Sequence, residues 1–442
     1  MKRRTFLAAA SQALCCLGNP ARGKVRTYLK NDVGPLRSVI VHTPGAEVFR
    51  PADDLDELMP WLREVRWDEE GLAQHARFVK ALRAEGVEVL ELVDLLDDAI
   101  KHLRVAGRLE HWLEHHCPSL LDLDRPITAA LLIGRERPSI AEDEPGPADE
   151  GPLPLKSLVF TRDIAVMTPK GVVLTSFLNH DRLHEADLVR LAFHAAPRLK
   201  RYPIAFDARR EGVYLQGGDL MVLDEKTLLL GVGNLTEPAA APKLAKRLGM
   251  DVVSVTLPGD GRFEHEPGAE RWSPLRTMAL HLDSVCTLLD EKRALVAPAF
   301  LEGTDTLSAM RGLCDDVRMM RRIGRVKTYR ARTGEAVNGE KDQKLVDHLT
   351  ERGYDCVRVG GPRPERPEET QAWTRLALAE LFGQAANVVA IKPGHVLAYA
   401  GNEATLRALR AGGVTVRTIE GTSLARLHGG PHCLTLPLER DA

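Results

Sequence analysis

Four times along this chain a stretch with helical apolar spacing ends in a polar run, a turn and then a short apolar segment. Ala81-Leu-Arg-Ala-Glu-Gly-Val-Glu-Val89 reads as a helix end, a glycine stop and a strand, and Ala408-Leu-Arg-Ala-Gly-Gly-Val-Thr-Val416 repeats it. Residues 244–255 and 345–359 follow the same grammar more loosely. Apolar strands or strand pairs precede three of the four, at 38–41, at 220–223 with 227–232, and at 387–391 with 395–399. A fifth unit is predicted from Ile164 through a helix near 185–196 to Pro203-Ile-Ala-Phe206. A repeated strand and helix unit implies an α/β fold of stacked modules around a shared central site.

Two stretches break the pattern. Residues 93–134 carry Leu96, Ile100, Leu103, Leu109, Leu113, Leu120 and Leu121 near helical spacing, which predicts an inserted helical subdomain. Residues 136–152 are acidic and rich in proline and glycine, the composition of an exposed connecting linker. Residues 258–270 and 360–369 read as surface loops for the same reason.

At 442 residues, core size is not limiting. The formal charge is −2 with opposite charges interspersed, so no basic field suggests a nucleic-acid partner. The seven cysteines (15, 16, 117, 286, 314, 356 and 433) show no paired spacing, which argues against a zinc ribbon or a disulfide framework. The N-terminus differs from the rest. Met1-Lys-Arg-Arg-Thr-Phe-Leu7 followed by a short, weak apolar run resembles a twin-arginine export signal around Arg3 and Arg4. Residues 1–23 are therefore set aside as a signal, with export to the periplasm expected and a cytoplasmic location as the alternative. No segment approaches transmembrane length, so no membrane partner is expected.

Candidate chemistry sits near the end of the chain. Gly429-Gly430-Pro431-His432-Cys433 sets a cysteine on a glycine-rich turn, which can aim backbone N–H groups and an open approach path at a thiolate. Phe160-Thr-Arg-Asp163, Arg182-Leu-His-Glu185, Leu215-Gln-Gly-Gly-Asp219 and His281-Leu-Asp283 stand at strand ends or loops where a repeated unit would face the centre. None is specific alone.

In this order, together with the N-terminal Gly34-Pro-Leu-Arg-Ser-Val-Ile-Val-His-Thr-Pro-Gly45 and the trailing Pro437-Leu-Glu-Arg-Asp441, the set resembles the arginine deiminase branch of the guanidino-group-modifying enzymes. The resemblance runs from about Val33 to the C-terminus. It implies a five-bladed pseudo-symmetric β/α propeller that attacks a guanidinium carbon with a cysteine. Cys433 matches the nucleophile and His281 the general acid and base, while Asp163 and Asp283 match two aspartates that clamp the guanidinium. A planar cation with its donors in a fixed fork needs paired carboxylates to orient it. The two-residue offset of His281 and Asp283 predicts both side chains on one face of a strand. Gly217 and Gly218 would let backbone approach the ligand, with Asp219 completing that motif.

The departures are informative. Gln216 stands where the family carries a glutamate beside the catalytic histidine; an amide can accept a bond from imidazole but brings no charge to stabilise imidazolium. In serine-protease triads, the equivalent Asp→Asn change costs about four decades of rate. Arg182 matches one arginine that meets the substrate carboxylate, but Leu235 replaces a second, His428 an arginine of the final loop and Ser157 an asparagine. Guanidinium chemistry is thus better supported than free arginine as the substrate.

His111-Trp-Leu-Glu114-His115 fits an inverted zinc-peptidase pattern, yet it lies in a leucine-rich insert with no downstream glutamate helix, and a charged helix face accounts for it better. The expectation is cysteine-dependent hydrolysis of a small guanidino compound, first of all L-arginine to L-citrulline and ammonia, with no cofactor or metal. An amidinotransferase with an amine acceptor and a guanidine-binding protein without turnover are the alternatives. A homo-oligomer is left open.

Overall fold

The computed structural model describes residues 28–49, 67–136, 152, 154–179, 182–259, 274–302, 317–337 and 342–441. The candidate export signal and residues 137–151 of the 136–152 connection lie outside them. Among the described residues no helix is long and apolar enough to cross a membrane.

The molecule is mixed α/β, with five separate sheets and no strand ladder joining one to the next among the described residues. Each is built on one plan: an antiparallel pair, then a parallel strand reached through a helix. Ala165–Thr168 and Gly171–Leu174 pair antiparallel, and Ile204–Asp207 joins parallel after the helix Leu183–Ala195. Leu220–Asp224, Thr227–Val232 and Asp251–Thr256 repeat this around the helix Ala240–Leu248, with Val326–Tyr329 added at one edge. Cys286–Leu288, Arg293–Val296 and Asp355–Arg358 form the next, and Val389–Lys392, His395–Tyr399 and Thr415–Ile419 the one after it. The antiparallel pair formed by Cys286–Leu288 and Arg293–Val296 is the one that the sequence pattern did not supply.

The remaining sheet joins the two ends of the chain. Leu36–Val41 runs parallel to Glu88–Glu91 and antiparallel to Leu436–Arg440, with Val39 opposite Pro437 and Ile40 opposite Leu436. The glycine-rich turn bearing Cys433 therefore leads directly into a strand locked against the first strand of the fold.

Local chemistry supports these elements. Asp68 caps the helix Glu69–Ala84 by accepting from Gly71 N at 2.6 Å, and Glu69 and Glu70 complement the dipole in its first turn. The helix Ala240–Leu248 ends on Gly249, whose φ of 64° is the left-handed conformation that glycine adopts at low cost. Thr227–Val232 is buried along its whole length, as expected for a strand covered on both faces. Residues within 93–134 form the helices Leu92–Val105, Leu109–His116 and Ala129–Leu132, whose apolar faces join the largest core cluster.

Candidate active site

Cys433 is buried, and Asn387 holds its loop. The Asn387 Oδ1 accepts from the backbone N–H of His432 at 3.0 Å and of Cys433 at 3.1 Å. Its Nδ2 donates to Cys433 Sγ at 3.0 Å and to the Asp283 carbonyl at 3.0 Å. One amide thus fixes Cys433 and the backbone of Asp283 together. Gly430 is required by this approach, since a Cβ there would lie 2.6 Å from Asn387 Cβ.

Asp283 Oδ2 lies 3.4 Å from Cys433 Sγ and 2.8 Å from His432 Nδ1. Its Oδ1 is buried with no hydrogen-bond partner. Burial, partly opposed by His281, raises the Asp283 pKa to about 6. Burial, with Asp283 and Asp163 nearby, pushes the Cys433 thiol well above its ordinary value. Burial also holds His432 well below the usual histidine range, so it is neutral at neutral pH.

Asp163 lies in the single helical turn Thr161–Ile164 that opens into Ala165–Thr168. The preceding Arg162 anchors that turn: its backbone N–H donates to the Cys433 carbonyl at 3.1 Å, and its guanidinium bonds Asp32 Oδ2 at 3.0 Å and the Leu220 carbonyl at 3.1 Å. Asp163 Oδ2 accepts from Arg182 Nη1 at 2.8 Å, whereas Oδ1 has no hydrogen-bond donor and lies 3.7 Å from His281 Nδ1.

The expectation that His281 and Asp283 share a strand face is corrected. His281 precedes the 3-10 turn Leu282–Ser284, because Ser284 N donates to the His281 carbonyl at 3.1 Å and Asp219 Oδ1 accepts from Leu282 N at 2.9 Å. Asp219 also accepts from Thr236 Oγ1 at 2.6 Å, so both its oxygens serve the scaffold. Gly217 and Gly218 form another 3-10 turn with Asp219, and a Cβ on Gly218 would stand 2.8 Å from the His281 ring. Gly218 thus admits the imidazole, while Gly217 admits the Arg162 carbonyl, which a Cβ there would meet at 1.9 Å.

His281 Nε2 donates to Gln216 Oε1 at 2.8 Å, leaving Gln216 Nε2 buried without a partner. Arg182 is buried, with Nε and Nη2 on Glu185 at 2.7–3.1 Å and its guanidinium 4.4 Å from the Phe177 ring centroid. Leu235 is buried, and Ser157 and His428 are half-buried. The arrangement brings together Cys433, His281, Asp163, Asp283, Gln216 and Arg182. Sequence reasoning missed Asn387 and His432; the only signal was a polar residue directly before an apolar strand and a histidine beside Cys433.

His111, Glu114 and His115 are exposed on Leu109–His116, with one ligand atom from each within 4.8 Å of the others. Cys117, Cys286, Cys356 and Cys433 are all free thiols.

The chain is similar to known proteins along most of its length. The family model for arginine deiminase matches residues 132–440. The arginine deiminase of Mycobacterium avium is 30% identical over 447 residues, covering 95% of this chain and 99% of that protein. That of Rhodococcus erythropolis is 28% identical with the same coverage. Among solved structures, unliganded AgrE superposes with a TM-score of 0.51 at 15% identity, covering 92% of this chain and 40% of that one. The N-terminal domain of ArgZ bound to product, an arginine dihydrolase from cyanobacteria, gives 0.50 at 14% identity, covering 91% and 97%. At such identity these two speak for the fold alone. The chain belongs to the arginine deiminase family, and with it to the hydrolases of the guanidino C–N bond.

Proposed function

We propose that this protein hydrolyses a guanidino compound to the ureido product and ammonia through a covalent adduct on Cys433. The family's reaction, L-arginine to L-citrulline and ammonia, sets the chemistry. The observation that carries the reading is a pair of buried, unpartnered carboxylate oxygens, Asp163 Oδ1 and Asp283 Oδ1, in a site that also holds a thiol and an imidazole. Buried carboxylate oxygens without donors are costly, and a guanidinium fork supplies the missing N–H groups.

In this reading the incoming cation also activates the nucleophile. Burial, with the neighbouring aspartates, holds Cys433 as a thiol. A guanidinium between them offsets their charge and favours thiolate. The thiol proton passes to His281, Sγ bonds to the guanidinium carbon, His281 returns that proton to the departing nitrogen, and ammonia leaves. Water, deprotonated by His281, attacks the amidino-thioether carbon and releases the ureido product with the thiol restored. His281 keeps its orientation through Gln216, and the nearby negative charge comes from Asp163.

The five sheets are read as five blades around this site, with residues 93–134 as a helical insertion, 136–152 as a linker and 1–23 as an export signal. Acid-quenching the enzyme during turnover and measuring its intact mass tests the mechanism. The expected adduct weighs the substrate less ammonia and is absent from Cys433→Ser; turnover with no such adduct would count against covalent catalysis.

A further inference from the structure

We propose that His111, Glu114 and His115 form a surface site for one divalent transition-metal ion of the Zn²⁺ class. The site lies apart from the chemistry at Cys433 and does not depend on it.

The helix Leu109–His116 sets the geometry. Residues three and four apart share a helix face, so positions 111, 114 and 115 project together. One ligand atom from each lies within 4.8 Å of the others. His111 Nδ1 faces Glu114 Oε2 at 3.4 Å, and the two imidazole centroids are 4.4 Å apart. His115 Nδ1 lies 2.8 Å from the His111 carbonyl. A carbonyl only accepts, so that nitrogen carries the proton and Nε2 keeps the lone pair that a metal takes. Tying the other ring nitrogen to a backbone carbonyl is how histidine ligands are commonly oriented.

The rest of the helix holds the three side chains in place. Trp112 and Leu113 are buried, and Trp112 stacks on His116 with ring centroids 4.7 Å apart. His116 Nδ1 in turn lies 3.6 Å from Asp187 Oδ2 on the helix Leu183–Ala195. His111 and Glu114 are more than half exposed, so water can complete a coordination sphere there. An ion pair between His111 and Glu114 accounts for two of the residues but gives no reason for a second imidazole at the same point.

The donor set selects the ion. Two imidazoles and one carboxylate suit Zn²⁺ and its neighbours Ni²⁺ and Cu²⁺, whereas Mg²⁺ and Ca²⁺ take oxygen ligands. With Glu114 engaged as a ligand, the motif retains no general base, so the site binds the ion without the hydrolytic chemistry of a zinc peptidase.

The test is calorimetric titration of the full, untagged chain with Zn²⁺ in excess Mg²⁺, beside His111→Ala and His115→Ala. Both side chains are exposed, so the variants should fold as the native chain does. Losing a ligand costs at least as much as losing an outer-shell partner, so each substitution should weaken Zn²⁺ binding by about tenfold or more. Zn²⁺ bound equally by all three proteins, or by none of them, overturns the inference.

Discussion

His281 Nε2 donates to Gln216 Oε1 across 2.8 Å, and the other ring nitrogen faces Asp163 Oδ1 at 3.7 Å. The amide orients the imidazole without charging its surroundings, so on the proposed mechanism Asp163 and Asp283 both receive the substrate and supply the negative charge near imidazolium. Gln216→Glu separates the two tasks. It should raise kcat by on the order of tenfold with little change in KM, part of the several decades that a carboxylate beside a catalytic histidine provides elsewhere. Steady-state kinetics of the two enzymes decide the matter, and an unchanged or lower kcat argues that the two aspartates suffice.

A second expectation concerns pH. Burial raises the Asp283 pKa to about 6, so the clamp carboxylate is ionised above that value and protonated below it. On the proposed reading, a guanidinium is held by the ionised form. The kcat/KM should therefore rise with pH through about 6 and be lost on acidification. A profile flat between pH 5 and 7 would remove Asp283 from guanidinium binding.

Asn387 offers a sharper test of the nucleophile's support. Asn387→Asp preserves the acceptor for the His432 and Cys433 N–H groups but removes the donor to Cys433 Sγ and adds a negative charge next to it. We expect kcat to fall by about a hundredfold or more, comparable to losing one preorganised donor at a reacting centre. Thiol alkylation by iodoacetamide should slow as well, which a purely structural role would not require.

The Arg162 and Asp32 pair ties the Asp163 turn to the N-terminal segment, and both side chains are nearly inaccessible. Asp32→Ala leaves the guanidinium buried without its counter-ion and also removes the acceptor for Val222 N. Unfolding free energy should fall by about 3 to 5 kcal/mol, as found when one partner of a buried pair is deleted. Urea denaturation of the two proteins measures it.

The grammar of helix, glycine and strand was legible because Gly86, Gly249 and Gly413 adopt positive φ where the periodicity changes. The strand Cys286–Leu288 escaped notice, since three residues carry too little alternation to read. Cys433, His281, Asp163 and Asp283 could be proposed from motifs in a fixed order. Their local conformation could not, because hydrogen bonds from Leu282 N to Asp219 and from His281 N to Ser284 turn the stretch after His281 into a 3-10 turn that strand spacing does not foresee. Asn387 and His432 were hidden for a different reason. Each acts through long-range contacts, 46 and 149 residues away in sequence, and such contacts leave no local pattern. The occupation of Arg182 by Glu185 is three residues away and looked like ordinary helix surface pairing.

The most direct test of the central claim is ammonia release with ureido product from L-arginine and agmatine, by the native chain and by Cys433→Ala. The account predicts that the native chain releases both products in equal amounts from at least one of these guanidines, and that Cys433→Ala, folded to the same melting temperature within a few degrees, releases neither. Release by the mutant at the native rate, or by neither protein, would contradict it.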